Sequence, residues 1–306
     1  MINVFLSLGL IAFIGSMLRY IIPGIEVESF RQSINKMVMF ILLPSLIFSV
    51  FYRGTVGPEL YVIPLAALAG LVTTLIFATL IFRFAPLPDA VKGALVLGSS
   101  FSNVTYLGLP VLMGVFSDIP DKIAVVSILY EVTITPMLLS MGIVIAIYFG
   151  AKSHFKASDY VKKILSLPPL WALGIVLLVR VLDVEVPTFL LDALNTLGVT
   201  AAGLMILSLG MSLRFRKPVH LKPIVVAVLI QLAFIPIVVY QIGKALSMNQ
   251  PYFEATVIEA SMPTQLLTLV VAEEFNLDME VLAQIILLTT AFSVVSVPLI
   301  RYLLFP

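Results

Sequence analysis

Glu131 and Glu259 each sit in a long apolar stretch, about one helical turn ahead of a proline, Pro136 and Pro263. A carboxylate in such surroundings either takes up a proton, because burial disfavours its charge, or meets a cation. Either fate can couple one movement to another. The plainer alternative for each is a structural hydrogen bond to a neighbouring Ser, Thr or backbone group. Small polar residues gather in two segments, Gly98-Ser99-Ser100-Phe101-Ser102-Asn103-Val104-Thr105-Tyr106-Leu107-Gly108-Leu109-Pro110 and Glu259-Ala260-Ser261-Met262-Pro263-Thr264-Gln265. Asn103 and Gln265 can hydrogen-bond a carboxylate through their amides, or equally hold helices together. No HExxH, GxSxG or Walker loop occurs, and no Asp lies in the middle of an apolar stretch. Zinc-protease, serine-hydrolase, intramembrane aspartyl-protease and ATP-driven chemistry by this chain are therefore excluded.

These residues must be positioned by elements suited to lipid. The chain has 306 residues, 60% hydrophobic and 11% charged, with a mean hydropathy of +1.13. That excludes a soluble enzyme. Apolar stretches fall at 3–22, 30–52, 59–83, 88–117, 122–149, 167–182, 188–213, 221–246, 251–275 and 279–304. A hydrocarbon core of about 30 Å takes roughly 20 helical residues per crossing, so they read as ten transmembrane helices with little left for a soluble domain. Long unbroken runs exclude a membrane β-barrel. With no cysteine there are no disulfides or thiolate metal sites. A net charge of +1 offers no basic field for nucleic acid. The start, Met1-Ile2-Asn3 with no basic residue before Arg19, is not expected to be a cleaved signal peptide.

Charge placement predicts orientation. The connections after spans one, three, five, seven and nine, with adjoining helix ends, hold Arg19, Arg31, Lys36, Arg83, Lys92, Lys152, Lys156, Lys162, Lys163, Arg214, Arg216, Lys217 and Lys222. The other side holds Arg53, Lys122, Arg180, Lys244 and Arg301. The positive-inside rule puts the first set in the cytoplasm and both termini outside, in a multi-pass protein of the cell (inner) membrane. Arg214, Arg216 and Lys217 read as topology anchors, and His154 and His220 as solvated interfacial residues. The segment 159–166 reads as an interfacial turn leading to a helix start at Pro168-Pro169, with Trp171 an interface anchor.

The chain also resembles itself. Ile25-Glu26-Val27 with Phe30 matches Val184-Glu185-Val186 with Phe189 at an offset of 159, as does Pro64 with Pro223. At an offset of 162, Pro136 falls on Pro298 and Asn103 on Gln265. Two five-span repeats, residues 1–150 and 151–306, follow, and an odd number of spans inverts the second. Such folds place their site where corresponding helices break near the midplane, here spans four and nine. Half-helix amino ends suit an anion and carboxyl ends a cation. Pro263 marks where span nine opens. Gly108 and Pro110 mark either a restart of span four or a kink, and Pro44, Pro136, Pro236 and Pro298 read as ordinary kinks.

At these residues the chain resembles the auxin efflux carrier family, which includes PIN-type auxin exporters and prokaryotic permeases for malate and malonate. The likeness rests on Met262-Pro263-Thr264, Ala272-Glu273-Glu274-Phe275 and the run from Asp278 to Pro298. It also rests on Asn103 with Gly108-Leu109-Pro110, on Pro44, and on Ser208-Leu209-Gly210. It implies an all-α, ten-helix inverted-repeat fold with crossing, broken fourth and ninth helices. Scaffold and transport domains would each draw on both repeats, and the protein would be a homodimer. It implies that Asn103 contacts substrate and that Pro263 is the crossover proline. Plant members carry Pro where this chain has Ser102 and a long loop where 150–157 is short, which argues against plant-type phosphorylation control and auxin itself. More distantly, Ser102-Asn103-Val104, Thr105-Tyr106-Leu107 and Glu259 ahead of Met262 resemble the sodium-ligating stretches of bile acid sodium symporters.

The expectation is a non-enzymatic, elevator-type secondary transporter of a small organic anion. Asn103, Ser102, Gly108, Pro263, Thr264 and Gln265 would form the substrate site. Glu259, Glu131, Asn103 and Ser127 would form a site for sodium or a proton, with no other cofactor and no nucleic-acid partner. Two other classes remain open: a membrane sensor or binding subunit that moves nothing, and a monovalent cation/proton antiporter.

Overall fold

Proline and glycine decide where the helices of this chain start, widen and stop. The computed structural model describes residues 2–22, 24, 26–53, 60–150, 165, 167–212 and 220–305. Its helices are α1 Ile2–Ile21, α2 Val27–Met37, α3 Leu43–Arg53, α4 Val62–Arg83, α5 Asp89–Gly98, α6 Leu109–Val115, α7 Pro120–Met137 and α8 Ile143–Phe149. They continue with α9 Pro168–Val181, α10 Thr188–Ser212, α11 Leu221–Leu229, α12 Ile235–Ala245, α13 Tyr252–Ala260, α14 Thr268–Glu274 and α15 Met279–Leu304. Among the described residues there is no strand, only one isolated antiparallel bridge between Ser102 and Thr264.

All ten apolar regions are helical. Among the described residues, six helices are long and apolar enough to cross a membrane: Val27–Arg53, Val62–Arg83, Lys122–Phe149, Thr188–Met211, Leu221–Ala245 and Met279–Leu304. Three more apolar helices, Leu6–Leu18, Val104–Val115 and Pro168–Val181, are shorter. Three of the six contain a widened π-helical turn beside a proline: Val38–Leu42 before Pro44, Leu138–Gly142 after Pro136, and Ile230–Phe234 before Pro236. Proline lacks the N–H that continues the ladder and its ring crowds the preceding turn, so a wider turn lets the helix go on. Pro298 sits inside α15 with no such turn. A further widened turn, Val104–Gly108, runs directly into α6, so this helix restarts at Val104, with Gly108 in helical conformation and Pro110 in the first turn of α6 lying within it.

The chain divides into two units. Unit one comprises Met1–Pro58, Thr105–Ile128 and Leu165–Leu213; unit two comprises Glu59–Val104, Leu129–Ile164 and Arg214–Pro306. Each draws on both halves of the sequence. In unit one, Leu18, Ile34, Val38, Leu42, Leu43, Ala201, Met205 and Met211 form a buried apolar cluster. Glycines let its helices touch backbone to backbone: a Cβ on Gly210 would strike the Ala12 carbonyl, and one on Gly15 the Leu207 carbonyl. A Cβ on Gly198 would lie 2.7 Å from the Leu46 Cα. Small residues at such contacts are how helices associate in lipid, where apolar burial gives little drive. Arg180 Nη1 donates to the Phe51 carbonyl (2.8 Å), and the Tyr52 hydroxyl accepts from the Val186 N–H (2.9 Å).

Helix starts follow the residues present. Pro168 and Pro169 open α9, where a missing N–H costs nothing. Asp278 caps α15 by accepting from the N–H groups of Glu280 (3.0 Å) and Val281 (2.9 Å). The exposed Trp171 donates its indole N–H to the Leu165 carbonyl. His220 is exposed at the N-cap position of α11. His154, Arg214, Arg216, Lys217, the cationic residues of 151–164 and most of the turn at 159–166 lie outside the described residues.

Candidate functional site

Two helices of unit two stop in the interior of the sequence regions they belong to. The first, α5, ends at Gly98, where a run of serines competes with the helical ladder. The Ser99 N–H still reaches the Leu95 carbonyl (3.0 Å), and its Oγ turns back to the Val96 carbonyl (3.2 Å). The second, α13, ends at Ala260. The Ser261 N–H reaches the Val257 carbonyl (3.0 Å), and Pro263 then has no N–H with which to continue. The sequence placed breaks in spans four and nine, and both fall there, at 99–103 and 261–267.

The two breaks are stitched together by a reciprocal set of bonds. The Asn103 N–H donates to the Pro263 carbonyl (2.6 Å), and the Gln265 N–H donates to the Phe101 carbonyl (2.8 Å). The Ser102 Oγ donates to the Ala260 carbonyl (3.3 Å), and the Thr264 Oγ1 donates to the Gly98 carbonyl. An offset of 162 residues carries Gly98, Phe101, Ser102 and Asn103 onto Ala260, Pro263, Thr264 and Gln265. The same offset therefore exchanges the members of each pair of bonds. Each hydroxyl closes the last carbonyl of the opposite half-helix, which would otherwise lack a partner. Those two carbonyls, Gly98 O and Ala260 O, thus each accept a hydroxyl hydrogen and keep a second lone pair.

Side chains brace the crossing. Gln231, fully buried in the π-helical turn Ile230–Phe234, donates Nε2 to both Ser102 Oγ (3.0 Å) and the Met262 carbonyl (2.8 Å). Thr289 Oγ1 accepts from the Thr264 N–H (3.1 Å). Gln265 Nε2 donates to Thr135 Oγ1 (2.9 Å), whose own hydrogen goes to Glu131 Oε1 (2.5 Å). Glu259, second to last in α13, is fully buried, as is Tyr130.

Of the residues read from the sequence, Ser102, Asn103, Pro263, Thr264 and Gln265 come together at the crossing. Glu131 joins them through Thr135, and Glu259 sits about one turn before Pro263. Gly108 and the buried Ser127 belong to unit one. Gln231, Thr135 and Thr289 were not read as site residues. Gln231 had left a signal, an amide inside the strongly apolar span Leu221–Ala245. Thr135 and Thr289 had not, because a threonine in a membrane helix usually bonds its own preceding turn, as Thr289 does to the Ile285 carbonyl (2.7 Å). Among the described residues no three His, Cys, Asp or Glu gather to hold a metal. A hard cation here would draw on hydroxyl, amide and backbone oxygens.

Membrane-length helices enclosing two interrupted, hydrogen-bonded segments define a multi-pass membrane protein with a polar site inside its helices. The chain matches the family model for membrane transport protein over residues 5–301, and it belongs to that family, the PIN-like auxin efflux carriers. It is 29% identical over 304 residues to an uncharacterized transporter of Methanothermobacter thermautotrophicus strain Delta H, covering 96% of this chain and 95% of that one. It is 28% identical over 295 residues to an uncharacterized transporter of Methanocaldococcus jannaschii, covering 92% of each.

Proposed function

We propose that this transporter carries a small carboxylate, auxin-like or malate/malonate-like, across the cell membrane, coupled to sodium or protons. The observation that carries the reading is the reciprocal crossing of 98–103 with 260–265. A chain interrupted at corresponding places in two halves is how secondary transporters build a site at membrane depth. The exchange of its bonds by one sequence offset supports two inverted five-helix repeats and ten crossings. The cationic residues of the odd-numbered connections support cytoplasmic placement of those connections, with both termini outside.

In this reading unit two, which holds the crossing, is the moving domain of an elevator, and unit one, knit by backbone-close glycines, is the scaffold and the dimer surface. Asn103 and the amino end of the helix that begins at Val104 hold the carboxylate. Glu259 and Glu131, with Asn103, take the coupling ion.

Thermal stabilisation of the purified protein by mono- and dicarboxylates and indole acids, in sodium or in choline, tests this. A ligand at 100 times its Kd stabilises by about 2.7 kcal/mol, a readily measured shift. Stabilisation by a carboxylate is the expected result, and its dependence on sodium identifies the ion. Failure of every carboxylate to stabilise the protein contradicts the reading. Saturable binding without flux in vesicles would instead make the protein a sensor.

A further inference from the structure

The sequence suggested that Gln265 meets a carboxylate through its amide nitrogen, but the hydrogen-bond accounting at the crossing gives the opposite polarity. Thr135 has one hydroxyl hydrogen, and it goes to Glu131 Oε1 (2.5 Å). A glutamine nitrogen can only donate, so Gln265 Nε2, 2.9 Å from Thr135 Oγ1, fills the hydroxyl's acceptor side. The amide of Gln265 is thereby held with its nitrogen turned to Thr135. Its Oε1 is buried and has no hydrogen-bond partner, in a residue only 6% exposed.

Gln231 repeats the pattern. Its Nε2 is used twice, on Ser102 Oγ (3.0 Å) and the Met262 carbonyl (2.8 Å), while its Oε1 is also buried and unpartnered. Both glutamines around the crossing therefore have their nitrogens turned to the protein, Gln231 through both hydrogens and Gln265 through one, and have kept back an acceptor oxygen. A buried acceptor without a donor is costly, so in a functional region it calls for a donor supplied by a ligand or an ordered water.

We propose that Thr135 is a positioning residue that sets Gln265 as an acceptor, so that the transported carboxylate is one bearing a hydrogen-bond donor, a hydroxyl or an N–H, that reaches Gln265 Oε1. This rests on the anion reading above and narrows it. A site built around an unpaired acceptor rejects the analogue that lacks the donor, because the acceptor then stays buried and unmet.

The test is equilibrium binding to the purified full chain of matched pairs that differ by one hydroxyl, malate against succinate and lactate against propionate, in sodium and in choline. The wild type is expected to prefer the hydroxy member of the pair it binds by about tenfold or more. Thr135→Val, which frees the Gln265 amide to turn, should bring the two members within about threefold, and Thr135→Ser should restore the preference. A purely structural role for Thr135 would weaken both members alike. Equal binding of the pair by the wild type, or a preference that survives in Thr135→Val, overturns the proposal and leaves the anion reading standing. Sodium alone stabilising the wild type but not Thr135→Val, with no preference within the pair, also overturns it by giving the acceptor to the cation. If no carboxylate binds at all, the anion reading fails and takes this proposal with it.

Discussion

The two units solve the problem of holding helices together in lipid by different means. Of the twenty-one buried polar residues described, five lie in unit one and sixteen in unit two. Unit one relies on glycines that bring backbone against backbone, at Gly15, Gly198 and Gly210. Unit two relies on hydroxyls and amides that meet each other around two broken helices. Most of its close glycines meet side chains, as Gly98 meets Ile285 Cδ1 at 2.8 Å, and Gly150, against the Phe275 carbonyl, is the exception. A unit made of close backbone contacts has one good arrangement. A unit made of hydrogen bonds to interrupted helices keeps polar groups at membrane depth, where a substrate can use them.

If that contrast is right, the largest effect should come from unit one. Gly210→Ala drives a methyl group into the Ala12 carbonyl. It should cost about 3 kcal/mol, lowering the melting temperature by about 6–12 °C in detergent or abolishing monodisperse protein. Gly98→Ala meets only movable side-chain ends and should cost about 1 kcal/mol, so equal losses from the two substitutions would erase the distinction. The next largest effect sharpens the view of unit two. Gln231→Leu removes the brace between Ser102 and Met262. Transport should fall by about tenfold or more while about 1–3 kcal/mol of stability is lost; uptake at the wild-type rate would show that the brace does not shape the site.

Smaller effects belong to the helix ends of unit two. Asp278→Ala removes the cap of α15 and should lower stability by about 1 kcal/mol, seen as a melting temperature lower by about 2–4 °C. Arg301→Gln breaks the partly exposed pair with Glu254 and should change stability by less than about 1 kcal/mol, an effect that shrinks further as salt is raised.

What the sequence made legible follows from which physical signals survive without coordinates. Apolar length locates every helical region, because lipid demands it. The breaks in spans four and nine were legible through Ser99-Ser100 and Pro263, residues that compete with or end a helical ladder. The pairing of the breaks was legible only as the weak match of Asn103 with Gln265, and its meaning needed the backbone bonds to Pro263 and Phe101. The widened turns beside Pro44, Pro136 and Pro236 were not legible, since proline permits either a kink or an extra residue in the turn. Thr135 was invisible because its role lies in the direction of one hydrogen. Gln231 shows in the sequence as an amide in an apolar helix, but its role does not, because its partners lie more than a hundred residues earlier and thirty residues later in the chain.

The central claim is that the crossing in unit two holds the transported anion. Uptake of labelled carboxylates into proteoliposomes by the wild type and by Asn103→Ala tests it most directly. The account predicts saturable uptake that Asn103→Ala loses by about tenfold or more, with its unliganded melting temperature within about 4 °C of the wild type. Undiminished uptake by a well-folded Asn103→Ala protein would contradict it.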